Sequence, residues 1–264
     1  MAGNRQDPVE DQTVVQASLL TGPPAYEPRT PWSPVAALLA TVAIVGVSVL
    51  AAVVVLGTEI VGGPSGGSNR GIWRQDMSAL ATLAIWQAIA VVLTGLASAL
   101  LGGRSRDVLA LRPPAGTRGV YLKAVLLMAL LQIAVSAVQY FFLPQDMYAD
   151  LRPFVQLFGE QWVLALLVVG IGAPLSEELL FRGFLLSALA RSRLGFAGGA
   201  LVTTGLWTAL HAGYSLAGIV EVFLIGLFFS WLLWRTGSLR VPIFCHALYN
   251  SLIVLVLRHV PLPT

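Results

Sequence analysis

Apolar runs of about 20 residues recur along the chain from Pro34 to Arg258, and this recurrence most constrains its fold. Wound as a helix, each run crosses roughly 30 Å of hydrocarbon with its backbone N–H and C=O groups satisfied internally. Seven runs can be drawn, at 34–57, 77–101, 120–143, 161–191, 196–214, 217–235 and 240–258. The sequence therefore predicts an all-α polytopic membrane protein, a bundle of about seven transmembrane helices. The fourth run is too long for a simple crossing, so it tilts, breaks near Gly172-Ala173-Pro174 or projects beyond the bilayer. If it were two spans there would be eight. Charged residues make up 11% of the 264, against about 25% in a soluble domain, which excludes a water-soluble fold.

Four regions follow from this pattern. Residues 1–32 are polar, proline-bearing and aperiodic, and read as a mobile cytoplasmic tail. They lack the basic start and short apolar core of a signal peptide, so the first apolar run stays as an anchor. Residues 33–160 hold three transmembrane helices, 161–258 hold four, and 259–264 are a short tail. The stretch "GGPSGGSN" (62–69) reads as a flexible turn. Its Gly63-Pro64-Ser65-Gly66 superficially matches a rhomboid serine-protease motif, but it sits in a loop with no histidine at a plausible depth.

Arginine sets the expected orientation. The second connection carries Arg104, Arg106, Arg112 and Arg118, the fourth Arg191 and Arg193, the sixth Arg235 and Arg240. The odd-numbered connections carry fewer, so the even ones and the N-terminus are expected in the cytoplasm. The net charge of +3 resides in these loops and implies no nucleic-acid partner. The lone Cys245 lies in an apolar run, which excludes an intramolecular disulfide.

Against this background "SEELLFRGF" (176–184) stands out, because it follows "QWVLALLVVGIGAPL", which contains no ionisable group. A charge near the bilayer centre costs at least ~2.5–3.5 kcal/mol, and adjacent carboxylates repel. Arg182 lies one turn after Glu178, in the order that favours a helical ion pair, so Glu178 and Arg182 read as a structural brace. Glu177 points about 100° around the helix with no local partner and is the carboxylate expected to react. The connection after the fourth run turns near Leu194, and Glu177 and His211 lie equally far before and after it in sequence. In an antiparallel hairpin they would sit at one height, in the cytoplasmic half of the bilayer. "HALYN" puts His246 and Asn250 on one helix face at a compatible depth.

Such a set suits hydrolysis. A carboxylate beside an imidazole can hold a water and accept its proton, while a second imidazole and an amide can donate to the oxyanion. Zinc is the neighbouring possibility, with Glu177, His211 and His246 as ligands, although the HExxH helix of zinc proteases is absent. No serine or cysteine is placed as a nucleophile. Glu221 reads as the N-terminal residue of a helix near the outer face, Gln87, Gln132 and Gln139 as interhelical hydrogen bonders, and Trp207 as core packing or a cavity wall.

The motifs "EELLFR" (177–182), "WTALH" (207–211) and "HALYN" (246–250), in that order on separate apolar helices, resemble those of the CPBP family, the CAAX-protease and bacteriocin-processing group also called Abi. Trp207 departs from the usual phenylalanine. The resemblance implies an intramembrane endopeptidase open to the cytoplasm and acting on a membrane-bound peptide or protein, lipidated or not. Glu177 and His211 would activate water, His246 and Asn250 would stabilise the oxyanion, and Glu178, Arg182 and Trp207 would support them. A metal-free glutamate mechanism is preferred over a zinc-dependent one. The resemblance also reaches bacteriocin self-immunity proteins and non-proteolytic membrane scaffolds, which form the competing class. An ion-coupled transporter is disfavoured by the absence of repeated halves.

Overall fold

The computed structural model of the protein describes residues 19–61, 69–115, 119–158, 161–260 and 262. These residues form helices and connections without a strand. The long helices are α1 (Pro34–Val61), α2 (Asn69–Leu100), α4 (Gly119–Phe142), α6 (Trp162–Leu189), α8 (Leu216–Thr236) and α9 (Arg240–His259). Short helices α3 (Ser105–Val108) and α5 (Arg152–Phe158) lie in connections, and α7 (Gly195–Ala209) follows α6. The turn expected over 62–69 and its Gly63-Pro64-Ser65-Gly66 lie almost wholly outside the described residues.

Six described helices, α1, α2, α4, α6, α8 and α9, are long and apolar enough to cross a membrane. The polytopic α-helical reading therefore holds, with one difference from the seven runs of the sequence. The fifth run becomes α7, of 15 residues, about 22 Å at 1.5 Å per residue, short of the hydrocarbon thickness. It ends ahead of His211, and residues 210–214 turn into α8, where Ser215 Oγ accepts from Gly218 N at 3.1 Å as an N-cap.

Helix α6 runs on past Gly172-Ala173-Pro174. Instead of breaking, it widens into two π-helical stretches, Leu166–Gly172 and Glu178–Leu185, separated by an α-helical turn at Ala173–Glu177. Proline lacks an N–H and disturbs the helical ladder, and local change to i→i+5 bonding is one way a helix absorbs it. In a π ladder the Val169 carbonyl would look to residue 174, the proline. Asn250 Nδ2 on α9 supplies a donor instead, at 3.1 Å.

One end of the bundle is closed by backbone bonds between its turns. Leu239 N donates to Ala110 O at 2.8 Å and Ala115 N to Thr236 O at 2.9 Å, while Arg240 Nε reaches Leu111 O at 2.8 Å. Residues 19–32 are fastened to the same end, where their composition predicts a mobile tail. Arg235 donates to the carbonyls of Leu19, Thr21 and Gly22, each at 2.8 Å. Arg191 donates to Thr30 O, and Trp32 stacks on Phe184 with centroids 4.8 Å apart. Burial pushes the Tyr26 phenol well above its ordinary pKa. A polar segment without periodicity forms no helix alone, yet it is ordered here because guanidinium groups satisfy its carbonyls. The even-numbered turns and this segment therefore share one end of the molecule.

Candidate active site

The opposite half is hollow. A cavity of about 480 Å³ reaches from Glu177 on α6 to the α4–α5 connection at Asp146–Leu151 and to Tyr214 and Gly218 beside the α7–α8 turn. Glu177, Trp207, His211, His246 and Asn250, from three helices and a turn, all line it. The lining includes residues of the α4–α5 connection and the α7–α8 turn, whereas the arginine-rich end is filled by fully buried Phe184, Leu185, Leu186 and Leu239.

Glu178 and Arg182 are completely buried and paired, Oε1 to an NH1 of the guanidinium at 3.2 Å. Arg182 also donates to Gly226 O at 3.2 Å, and its guanidinium carbon stands 4.3 Å from the centroid of the Trp207 ring. Close approach at Gly226 is what permits this, since a Cβ there would lie 2.8 Å from the guanidinium and 2.9 Å from Trp207. A buried ion pair needs further hydrogen bonds to offset desolvation, and a second one comes from α9, where His246 Nδ1 lies 3.0 Å from the same Glu178 oxygen. A carboxylate only accepts, so Nδ1 carries the proton and the imidazole is held by the brace through that nitrogen. Phe229 stacks on that ring at 4.6 Å. Glu178 is thus partner to two motifs.

Glu177 has a partner that its sequence neighbourhood does not indicate. Trp207 Nε1 donates to Glu177 Oε2 at 2.7 Å, and His211 Nδ1 lies 3.1 Å from Trp207 O. The residue level with Glu177 is therefore Trp207, one turn earlier than equal spacing from the hairpin tip would give. The π-helical stretch Glu178–Leu185 contributes to the shift: it is wider than an α-helix and advances less per residue, so α6 gains less height than α7 over the same number of residues. A carbonyl only accepts, so His211 also carries its proton on Nδ1, which leaves Nε2 as an acceptor when the ring is neutral.

Further polar groups line the cavity. Glu221 lies in the second turn of α8, while Ser215 caps that helix, so the N-terminal capping role expected for Glu221 is not what the structure has. Its carboxylate instead accepts from Gln132 Nε2 at 2.9 Å, Gln139 Nε2 at 2.8 Å and Tyr249 OH at 3.2 Å. Gln132 and Gln139 thus bridge α4 to α8 as interhelical bonders. Gln87, expected to do the same, is buried with no hydrogen-bond partner for its Nε2 among the described residues. Asp150 accepts from Ser215 N and Oγ, both at 2.7 Å. Tyr249 is legible as a phenol inside "HALYN", whereas Asp150 carries no sequence signal beyond its polar connection. Cys245 is buried with its thiol 3.7 Å from Ala124 O, a packing role.

For the zinc reading, the fit can be tested on the donors. Among the described residues no three His, Cys, Asp or Glu side chains converge as metal ligands. Glu177, His211 and His246 are accordingly not drawn together as a ligand set.

All three motif segments fall within the part of the chain that matches a known family. Residues 159–252 match the family model described as type II CAAX prenyl endopeptidase Rce1-like. Over that stretch the chain is similar to this family. It is also 38% identical, over 122 residues, to an uncharacterized 24.3 kDa protein of Escherichia coli, an alignment covering 43% of this chain and 56% of that protein. The chain thus spans about half the length of this curated relative. No solved structure is significantly similar.

Proposed function

We propose that the protein is an intramembrane endopeptidase that hydrolyses a peptide bond of a membrane-associated protein or peptide. The observation that supports this best is the convergence of Glu177, His211, His246 and Asn250 on one cavity within the Rce1-like segment. With Oε2 held by Trp207, Glu177 keeps Oε1 for a water, and His211 Nε2 offers a second acceptor to orient it. Water oxygen attacks the carbonyl carbon as Glu177 takes its proton. The oxyanion receives hydrogen bonds from Asn250, whose amide has a second N–H beyond the one given to Val169, and from His246 Nε2. Because His246 Nδ1 already bears a proton toward Glu178, donation from Nε2 needs the imidazolium, which with Arg182 balances Glu177 and Glu178. When the C–N bond breaks, the proton on Glu177 passes to the leaving amine.

On this reading Trp207, Glu178 and Arg182 position the reacting groups, and residues 161–258 form the catalytic core. The arginine-rich end, with the N-terminus, is cytoplasmic by the positive-inside rule, so the cavity widens toward the opposite leaflet. Each step is carried by side chains alone, without a metal.

The test compares membrane-peptide termini from cells lacking the protein, resupplied with wild type or with Glu177→Gln. New termini are expected with wild type alone. Identical termini, with the variant restoring any deletion phenotype, would overturn the protease reading in favour of a scaffold.

A further inference from the structure

Apart from the His246 imidazolium of the proposed reaction, the charged groups on the walls of the cavity are carboxylates among the described residues. Asp146, Asp150, Glu177 and Glu221 line it, and among the described residues no lysine or arginine does. The buried ion pair in this half is Glu178 with Arg182, whose side chains are fully enclosed. A low-dielectric wall with an excess of negative charge concentrates its field on whatever enters, and a carboxylate at membrane depth is costly unless it works.

Asp150, Glu177 and Glu221 are held in different ways. Asp150 is spent on the Ser215 hydroxyl and amide, and Glu177 on Trp207 and the chemistry. Glu221 is held by two carboxamides and a phenol from α4 and α9. Those donors fix its position without cancelling its charge. A helix-joining role would be met equally by an uncharged side chain, so the structure has a carboxylate where a neutral acceptor would suffice for packing. A second, independent group points at a ligand: Gln87, 6% exposed, lines the same cavity with its Nε2 donor unpartnered among the described residues. A buried amide donor without an acceptor is destabilising, and a peptide carbonyl in the cavity would relieve it.

We propose that the cavity selects peptides bearing a lysine or arginine side chain close to the scissile bond, with Glu221 receiving the cation and Gln87 donating to a backbone carbonyl. This rests on the endopeptidase reading and gives it a substrate class. A cation at Glu177 would instead block that carboxylate from taking a proton, so the separate, donor-locked Glu221 is the suitable acceptor.

The test uses the full chain in lipid nanodiscs and three capped alanine–leucine peptides of about twelve residues, identical except for a central lysine, norleucine or glutamate. Binding is measured on Glu177→Gln, which separates it from turnover. The lysine peptide is expected to bind about tenfold tighter than norleucine, a difference of about 1.4 kcal/mol, with glutamate weakest. Adding Glu221→Gln is expected to bring lysine and norleucine within about twofold. Equal binding of the three, tighter binding of glutamate, or no binding of any would overturn the proposal. If the double variant fails to fold, the ranking on Glu177→Gln alone decides. Incubating the same peptides with wild type separates the two readings: lysine-selective binding without cleavage keeps the charge selectivity and removes the protease, whereas cleavage without lysine preference does the reverse.

Discussion

The two ends of this bundle treat charge in opposite ways. At one end Arg235 and Arg191 give their guanidinium hydrogens to backbone carbonyls, and with Arg240 they stitch the N-terminal segment and the turns together. At the other, carboxylates are held by indole, phenol, carboxamide and hydroxyl donors, and a cavity is left between them. Cations used on carbonyls produce a sealed, ordered surface, since each guanidinium satisfies several acceptors at once. Anions held by neutral donors stay in place yet keep their charge, so they remain able to act on a ligand. Function is therefore sought where charge is positioned and left unspent.

The Glu178–Arg182–His246 cluster lies between the two regimes, and breaking it should have the largest effect. Arg182→Leu breaks a buried ion pair and leaves Glu178 with His246 as its remaining partner, which should cost about 3–5 kcal/mol. Denaturant titration in detergent is expected to show a large loss, and the cavity should lose His246 as an ordered wall. A stability within about 1 kcal/mol of wild type would mean the cluster does not join the two ends.

At the sealed end, Arg235→Ala removes a donor to three carbonyls. The expected cost is about 2 kcal/mol, read as faster hydrogen exchange and protease cleavage at 19–32 with the helices still protected. Slow exchange in that segment would show that Trp32 and Tyr26 hold it without the arginine. At the hollow end, Tyr249→Phe removes one donor to Glu221 and should cost about 1 kcal/mol, visible as a small fall in melting temperature. Because it leaves the charge of Glu221 unchanged, it should preserve any lysine preference, which sharpens the distinction between holding a carboxylate and neutralising it.

Much of this architecture is legible in the sequence because membrane burial writes itself as run length. The spans of α1, α2, α4, α6, α8 and α9 fall where the apolar runs place them, and the i, i+4 spacing of Glu178 and Arg182 gives their contact directly. What escapes depends on register between helices. The pairing of Glu177 with Trp207 follows from a π-helical stretch that alters height per residue, and no local propensity announces it. Glu221 resembles a cap in sequence because its partners Gln132 and Gln139 lie on α4, distant along the chain. Residues 19–32 resemble a mobile tail because their order comes from arginines on other elements and not from any periodicity of their own.

Asn250 and Pro174 form one unit through the Val169 carbonyl. The carboxamide stands in for an amide hydrogen that proline cannot provide, so a loss of activity in Asn250→Ala alone would confound folding with chemistry. Pro174→Ala restores a main-chain donor within α6, and in that background α9 is released from its repair duty. Only there does replacing Asn250 report on the reaction itself, which makes the proline the control for the asparagine.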